Sequence, residues 1–174
     1  MNRFIPNIAL IADSADGTLA LISELESKIK PDKNRQAEIA EAKTKAAQLI
    51  SKVQPQMDYL ASIREVLPRD GFFVPELSQM GFASWIGGMP IYEPRTYVSE
   101  GFQGTLGFGF PTALGVKVAN PDKAVVSVNG DGGFMFGMQE LATAAQYKIG
   151  LITLVFNNKS YGNVLRDQDN GFGG

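Results

Sequence analysis

Two short polar runs in the second half of the chain carry residues that could bind a metal-bound phosphate. Residues 129–133 read Asn-Gly-Asp-Gly-Gly and centre on Asp131, and the second run is Asn157-Asn158. A carboxylate oxygen and an amide oxygen suit a hard cation such as Mg²⁺, which commonly keeps positions open for phosphate oxygens. The glycines leave backbone N–H groups accessible at the start of a predicted helix, and such groups bind phosphate. These residue types predict a magnesium-bridged diphosphate site.

Both runs follow predicted buried strands, which places them where such a site is expected. The apolar runs Ala124–Val128 and Leu151–Phe156 predict the strands, and Met138–Tyr147 predicts a helix between them. Within this helix, three residues are expected to point inward: Leu141, Ala144 and Ala145. Continuous apolar strands separated by helices favour an α/β fold, a parallel sheet flanked by helices on both faces. In such sheets ligands bind beyond the carboxyl ends of the strands.

The remaining segments predict a preceding unit, a polar connector and further helices of the α/β domain. Glycine is concentrated late, with 18 of 19 at or after Gly71, whereas residues 24–52 hold 12 of the 34 charged residues. The predicted elements are a strand Phe4–Ile11, helices Thr18–Lys30, Asp32–Val53 and Met57–Leu67, a short strand Phe72–Val74 and a helix Pro111–Val118. The apolar positions of the second helix are mostly alanine, so we expect it to be a solvated connector.

Composition excludes several classes of function. The chain has no cysteine and no histidine, which rules out disulfides, thiolate metal sites and histidine acid–base catalysis within it. Its net charge is −2 without a basic block, which argues against nucleic-acid binding. Since no segment approaches the ~20 apolar residues of a membrane span, we expect a cytoplasmic protein without a membrane partner.

The spacing of the two polar runs resembles the diphosphate-binding domain of thiamine-diphosphate-dependent enzymes. That fingerprint is Gly-Asp-Gly, just under thirty residues, then Asn-Asn, and this chain has it from Gly130 to Asn158. Residues 104–111 read Gly-Thr-Leu-Gly-Phe-Gly-Phe-Pro, which is similar to a stretch of acetolactate synthases, as are residues 113–115 and 140–144. The resemblance covers roughly residues 55–170. It implies the fold of that domain, with thiamine diphosphate and Mg²⁺ as cofactors.

The resemblance also implies roles for individual residues. Asp131 and Asn158 would ligate Mg²⁺ through their side chains, and Ser160 through its backbone carbonyl. Leu106 would be the apolar wedge that keeps the cofactor bent, the one position with an implied catalytic role. The other implied cofactor-binding residues are Gly104 near the aminopyrimidine, Gly132 and Gly133 at the diphosphate, and Tyr161, Gly162, Asn163 and Val164 along the cofactor channel.

In this family the cofactor acts on 2-keto acids, by decarboxylation or carboligation. The glutamate that activates the cofactor lies in a separate pyrimidine-binding domain, which no segment of this chain resembles. The implied organisation is therefore a fragment: residues 1–30 as the tail of a middle domain, 31–55 as a helical connector, and 56–174 as a diphosphate-binding domain lacking its last strands. We expect it to be inactive alone, and to form a homo-oligomer or bind a chain that supplies the missing domain.

Some departures from the pattern keep alternatives open. Where acetolactate synthases have Gly-Gln-His-Gln, residues 81–84 read Gly-Phe-Ala-Ser, so a polar diphosphate contact is expected to be lost. Four glutamates follow Gly71, namely Glu76, Glu93, Glu100 and Glu140. Glu100, just before residues 101–110, could face the cofactor, but surface solvation or loop hydrogen bonding is expected for it. Each polar run alone is also typical of a simple turn. A non-catalytic binding or regulatory module is the alternative function, and a dinucleotide-binding fold is disfavoured because the Gly-x-Gly-x-x-Gly spacing is missing.

Overall fold

The computed structural model describes residues 5–30 and 35–174 of the chain. The chain divides into two compact units, Met1–Lys45 and Ala46–Gly174. Helix α1 spans Ser14–Leu25, and α2 spans Arg35–Ile50 and runs across the division. The side chain of Asp13 caps α1, because its Oδ1 accepts hydrogen bonds from the backbone N–H groups of Ala15 and Asp16.

The predicted strand at the beginning of the chain is wrong. Phe4 lies outside the described residues, and residues 5–11 form no strand. Their large apolar side chains are exposed: Ile8 is 89% and Ile11 is 96% accessible. A strand persists only when a neighbouring strand satisfies its backbone. Among the described residues the sheet contains three strands, all after Gly71, and none of them pairs with this segment.

The second unit is the α/β part of the molecule. Its helices are α3 (Gln56–Val66), α4 (Gln79–Ala83), α5 (Gly109–Ala119), α6 (Asp131–Gly137), α7 (Leu141–Gln146) and α8 (Gly162–Phe172). Its strands are β1 (Phe72–Pro75), β2 (Val125–Gly130) and β3 (Ile152–Phe156). A π-helical turn at Ser84–Gly88 follows α4, and a 3₁₀ turn at Met138–Glu140 joins α6 to α7.

The three strands form a parallel sheet in the order β1-β2-β3. Phe72 pairs with Val125, and Val126 pairs with Ile152. The parallel sheet flanked by helices is therefore confirmed. All three strands end at the same edge of the sheet, so the segments that follow β1, β2 and β3 meet there.

Two apolar clusters cover the central part of the sheet. On one side, α3 contributes residues at helical spacing, and the cluster contains Met57, Leu60, Ile63, Leu67, Phe73, Met80, Ala83, Met89, Val126 and Val128. The other cluster joins Val74 and Val125 of the sheet to Ala113 of α5. The sheet is thus packed between α3 and α5, which fixes the strand ends relative to the helices.

The prediction that every strand is buried on both faces fails at β3. In β3, Ile152 is 59% and Val155 is 42% exposed, and these side chains point to opposite faces. The inward orientation predicted for Leu141 is also wrong, since Leu141 is 51% exposed, and Ala145 is exposed while Ala144 is half-buried. The 3₁₀ turn before α7 has three residues per turn, so the face expected of one continuous helix is not kept.

Within residues 5–30 and 35–174, none of the helices combines the length and apolar character needed to cross a membrane.

Candidate functional site

A cleft of about 360 Å³ opens at the edge of the sheet where the strands end. Its walls come from the segments after β1, β2 and β3, from α3 and from the start of α8. Ten of the eleven residues with predicted cofactor roles line it: Leu106, Asp131, Gly132, Gly133, Asn158, Ser160, Tyr161, Gly162, Asn163 and Val164. Gly104 does not line it. The structure therefore brings together segments that are far apart in the sequence.

Asp131 lies at the first position of α6 and contacts the turn that follows β3. Its Oδ2 accepts a hydrogen bond of 3.0 Å from the backbone N–H of Lys159. The same N–H is shared with Oδ1 of Asn157 at 2.8 Å, and Oδ1 of Asn158 accepts the backbone N–H of Ser160 at 3.2 Å. Lys159 adopts a left-handed conformation with φ 59°. These bonds hold the carboxylate of Asp131 against the residues predicted to share a cation with it.

The start of α6 presents backbone N–H groups without a side-chain cap. Gly130 occupies the N-cap position, and no side chain accepts a hydrogen bond there. A Cβ placed on Gly132 would lie 2.6 Å from Cε1 of Tyr161, so only glycine allows the tyrosine ring to pack here. One wall of the cleft is therefore formed by backbone with an aromatic ring packed onto it.

Leu106 also lines the cleft, in a turn built around glycines with positive φ. Gly104 has φ 60° and Gly107 has φ 86°, a backbone region that glycine adopts without strain. A Cβ on Gly104 would lie 3.6 Å from Cδ2 of Leu77, a residue that itself lines the cleft. Gly104 thus lies beside Leu77 without lining the cleft, while Leu106 lines it.

Comparison with protein families identifies this arrangement. Residues 78–174 match the family model described as thiamine pyrophosphate enzyme, C-terminal TPP binding domain. The chain belongs to this family. Thiamine pyrophosphate (TPP) is thiamine diphosphate, so the resemblance and the cofactor predicted from the sequence are confirmed. The match includes the segments after β2 and β3 and begins at Ser78, three residues after the end of β1.

Curated relatives of this TPP binding domain are large subunits of acetolactate synthase. The chain is 49% identical over 80 residues to that of Haemophilus influenzae, covering 46% of this chain and 14% of the relative. It is 49% identical over 76 residues to the probable large subunit of Methanococcus aeolicus, covering 44% and 13%. With the large subunit of Porphyra purpurea it is 28% identical over 175 residues, covering 97% and 29%. The chain therefore spans less than a third of these relatives.

A solved structure resembles the TPP binding domain as well. It is the thiamine diphosphate-dependent 4-hydroxybenzoylformate decarboxylase of Rhodococcus jostii RHA1, with a TM-score of 0.60 and 32% sequence identity. The alignment covers 66% of this chain and 21% of the decarboxylase. The fold is therefore shared with a thiamine diphosphate-dependent enzyme, as the parallel sheet and its flanking helices indicate.

The oxygen donors in the TPP binding domain fit a cation that bridges to phosphate. The candidate set contains one carboxylate, from Asp131, one amide, from Asn158, and the carbonyl of Ser160. A Cβ on Gly162 would lie 2.8 Å from Nδ2 of Asn158, so glycine is needed for the asparagine to pack in this turn. Among the described residues, no three or more Asp, Glu, His or Cys side chains cluster as a metal site. A single carboxylate leaves room for the negative charge of a diphosphate.

Sequence reasoning missed the part of the cleft that follows β1. Leu77, Ser78, Gln79 and Met80 line this part. Elsewhere the cleft is also lined by Pro55, Gln56, Tyr59 and Phe156, which the sequence did not indicate either. The side-chain amide of Gln79 donates a hydrogen bond to Oδ1 of Asn163 across the cleft. The signal was available, because this segment follows the carboxyl end of a predicted strand, as the two polar runs do.

The loss of a polar diphosphate contact expected at residues 81–84 concerns positions that do not line the cleft. Gln79, two residues earlier, does line it. Gly81 instead packs inside α4, where its N–H is bound by Oγ of Ser78 at 3.1 Å. The segment therefore retains a polar side chain at the cleft.

Two glutamates near the cleft have an altered acidity. Glu76 is fully buried, and burial raises the pKa of its carboxyl, partly offset by hydrogen bonds from backbone N–H groups. Burial also raises the pKa of Glu100, whose two carboxyl oxygens are buried without a hydrogen-bond partner among the described residues. None of Glu76, Glu93, Glu100 and Glu140 lines the cleft.

Proposed function

We propose that this chain binds the diphosphate of thiamine diphosphate through Mg²⁺, with Asp131, Asn158 and Ser160 as the protein ligands. The observation that carries the proposal is the hydrogen bond between Oδ2 of Asp131 and the backbone of the turn after β3. It joins the donors from two strand ends at one end of a cleft of suitable size. Carboxylate, amide and carbonyl oxygens are the ligands that Mg²⁺ takes in proteins.

The rest of the cleft suits the remainder of the cofactor. The uncapped N–H groups of Gly132 and Gly133 would bind diphosphate oxygens. Tyr161 and Val164 provide apolar surface along the cleft, and Leu106, which also lines it, would support the organic part of the cofactor. The protein thus contributes binding and orientation, while the bound cofactor supplies the electron sink for chemistry on a 2-keto acid.

We further propose that the chain is part of a 2-keto acid decarboxylase or carboligase similar to acetolactate synthase, and that it is inactive alone. The support is that none of its glutamates after Gly71 lines the cleft. The carboxylate that activates the cofactor would then come from a pyrimidine-binding domain, supplied by a second copy or by a partner chain.

The test of binding is calorimetric titration of thiamine diphosphate with Mg²⁺ and with chelator. Asp131→Ala should weaken binding by about tenfold or more, because it removes the charged ligand of the cation. Asp122→Ala, at an exposed position, serves as the matched control. Equal binding in chelator, or full affinity in Asp131→Ala, would contradict the proposal. Titration of NAD should give no heat.

A non-catalytic binding module is the alternative that the same observation favours, since the cleft lacks a glutamate. The two functions differ when the missing domain is supplied. Turnover of a 2-keto acid should arise on mixing the chain with the pyrimidine-binding domain of an acetolactate synthase large subunit, if the chain is catalytic. Cofactor binding without turnover in that mixture would support the non-catalytic module.

A further inference from the structure

Glu76 is an acidic side chain placed entirely inside the domain. It follows β1, its relative exposure is 0%, and its backbone N–H donates to the carbonyl of Val128 in β2 at 2.7 Å. Its carboxyl reaches the turn at residues 104–109. Oε1 accepts the backbone N–H of Gly107, and Oε2 accepts that of Gly109 at 3.2 Å. A single side chain thus binds the 104–109 turn at two points.

Two glycines lie against the Glu76 side chain. A Cβ on Gly109 would overlap Oδ1 of Asn129 and would lie 2.8 Å from Cβ and 2.9 Å from Oε2 of Glu76, so both neighbours require glycine there. A Cβ on Gly133 would lie 2.6 Å from Cδ of Glu76. Gly133 belongs to α6, so the carboxyl is packed between the 104–109 turn and the helix that begins with Asp131. Glu76 therefore contacts two segments that contribute residues to the cleft without lining it.

Burying this carboxyl without a cation beside it is unfavourable, as the raised pKa of Glu76 indicates. Hydrogen bonds from backbone N–H groups of the turn that carries Leu106 partly offset the cost of burying the carboxyl. Gly104 and Gly107 leave the backbone of that turn with little intrinsic preference for one conformation, because glycine populates many backbone states. The two hydrogen bonds to Glu76 select one of them.

We propose that Glu76 is a positioning residue that holds the 104–109 turn against α6 and thereby keeps Leu106 at the cleft. This inference rests on the proposed function only in that Leu106 contacts the thiamine part of the cofactor. Glu76 contacts neither cofactor nor metal in this role. Its effect is transmitted through the turn, and it concerns the organic part of the ligand rather than the diphosphate.

Titrations of two ligands and one measurement without ligand test this proposal. Thiamine diphosphate and inorganic diphosphate are titrated with Mg²⁺ into the wild-type chain and into Glu76→Gln, which keeps the volume but has one acceptor oxygen. Glu76→Gln should reduce the preference for thiamine diphosphate over inorganic diphosphate by about tenfold. Glu65→Gln, at an exposed position of α3, is the matched control and should leave it unchanged. Equal preference in Glu76→Gln and wild type would overturn the proposal.

A double-mutant cycle shows whether Glu76 acts through Leu106. In a Leu106→Ala background, Glu76→Gln should no longer change the preference, because the side chain that it positions is gone. Additive effects of the two substitutions would overturn the proposal.

Amide hydrogen exchange without ligand separates this inference from the proposed function. The amides of Gly107 and Gly109 should exchange about tenfold faster in Glu76→Gln, with the rest of the domain unchanged. Unchanged exchange at both amides would overturn the proposal. If the wild-type chain binds neither diphosphate, the proposed function fails, while faster exchange at these two amides still supports Glu76 as the residue that holds the turn.

Discussion

Single residues at the cleft carry more than one contact each, and this restricts which side chains can replace them. Asp131 begins α6 and also binds the turn after β3. The ring of Tyr161 occupies the space that a Cβ on Gly132 would take, and the carboxyl of Glu76 occupies the space that a Cβ on Gly133 would take. The glycines of this run are therefore fixed by packing as well as by the backbone N–H groups predicted from the sequence.

The packing role of Gly133 predicts a cost for adding one methyl group. Gly133→Ala should lower the free energy of unfolding by about 1–3 kcal/mol, because the new Cβ overlaps the buried carboxyl of Glu76. Gly115→Ala is the control: no atom lies within 4 Å of its added Cβ, and alanine favours helix. Urea unfolding of both variants measures the difference. Equal stability of Gly133→Ala and wild type would show that the carboxyl does not occupy this space.

The raised pKa of Glu76 predicts how stability depends on pH. The folded state holds the proton more tightly than the unfolded state, whose carboxyl titrates near its ordinary value of 4.5. Its contribution to stability is therefore complete below that value and is lost as pH rises through the raised folded-state pKa. Glu100 acts in the same direction.

Unfolding free energies of wild type and Glu76→Gln, measured in urea from about pH 4 to about pH 8, test this sign. The stability of wild type should fall relative to that of the variant as pH rises, because glutamine has no proton to lose. Parallel curves for the two proteins would show that Glu76 has an ordinary pKa in the folded state.

At the scale of helices and strands, α3 supplies much of the apolar contact that fixes the sheet. Leu60 is fully buried, and Met57, Ile63 and Leu67 lie beside it in the same cluster. Tyr59 on the neighbouring face lines the cleft and packs on the ring of Phe156, with ring centroids 5.2 Å apart. One helix therefore serves both the core and the cleft.

Leu60→Ala should destabilise the second unit by about 2–5 kcal/mol, because it leaves a cavity in this cluster. Val66→Ala is the control on the same helix, since Val66 is 80% exposed and its truncation should change stability by less than about 0.5 kcal/mol. Thermal and urea unfolding of the two variants give the comparison. A loss of similar size in both would mean that burial on α3 does not distinguish these positions.

Elements with strong local signals were predictable from the sequence, and those that depend on distant partners were not. The strands at Phe72, Val125 and Ile152 and the helices α3 and α5 follow from apolar runs and spacing. The N-terminal strand failed because an apolar run does not reveal whether a neighbouring strand exists. The inward face of the helix at Leu141 failed because periodicity does not reveal a 3₁₀ turn before it.

The candidate site shows the same division. The positions of Asp131 and Asn158 at the cleft were predictable because both residues follow strands whose carboxyl ends meet at one edge of the sheet. Gln79 was missed although it follows β1, since the motif comparison was made with residues 81–84, which do not line the cleft. The hydrogen bonds of Glu76 were beyond reach, because they join residues about thirty positions apart through a buried carboxyl.

At the scale of the whole molecule, the chain consists of two units of different character. Every residue that lines the cleft lies at or after Pro55, within Ala46–Gly174. A chain of residues 46–174 should therefore bind thiamine diphosphate and Mg²⁺ with the affinity of the full chain. Calorimetry on both chains at equal Mg²⁺ is the measurement. Loss of binding in a shorter chain that remains folded by circular dichroism would assign the first unit a part in the site.

The left-handed conformation of Lys159 has a consequence for how fast a ligand can be captured. A residue other than glycine adopts this conformation at a cost, and hydrogen bonds from its backbone N–H to Asp131 and Asn157 offset that cost. Because the protein's own contacts hold the turn, the free energy of ordering it should not be subtracted from the binding free energy. Association should then be limited by diffusion and orientation rather than by refolding of the loop.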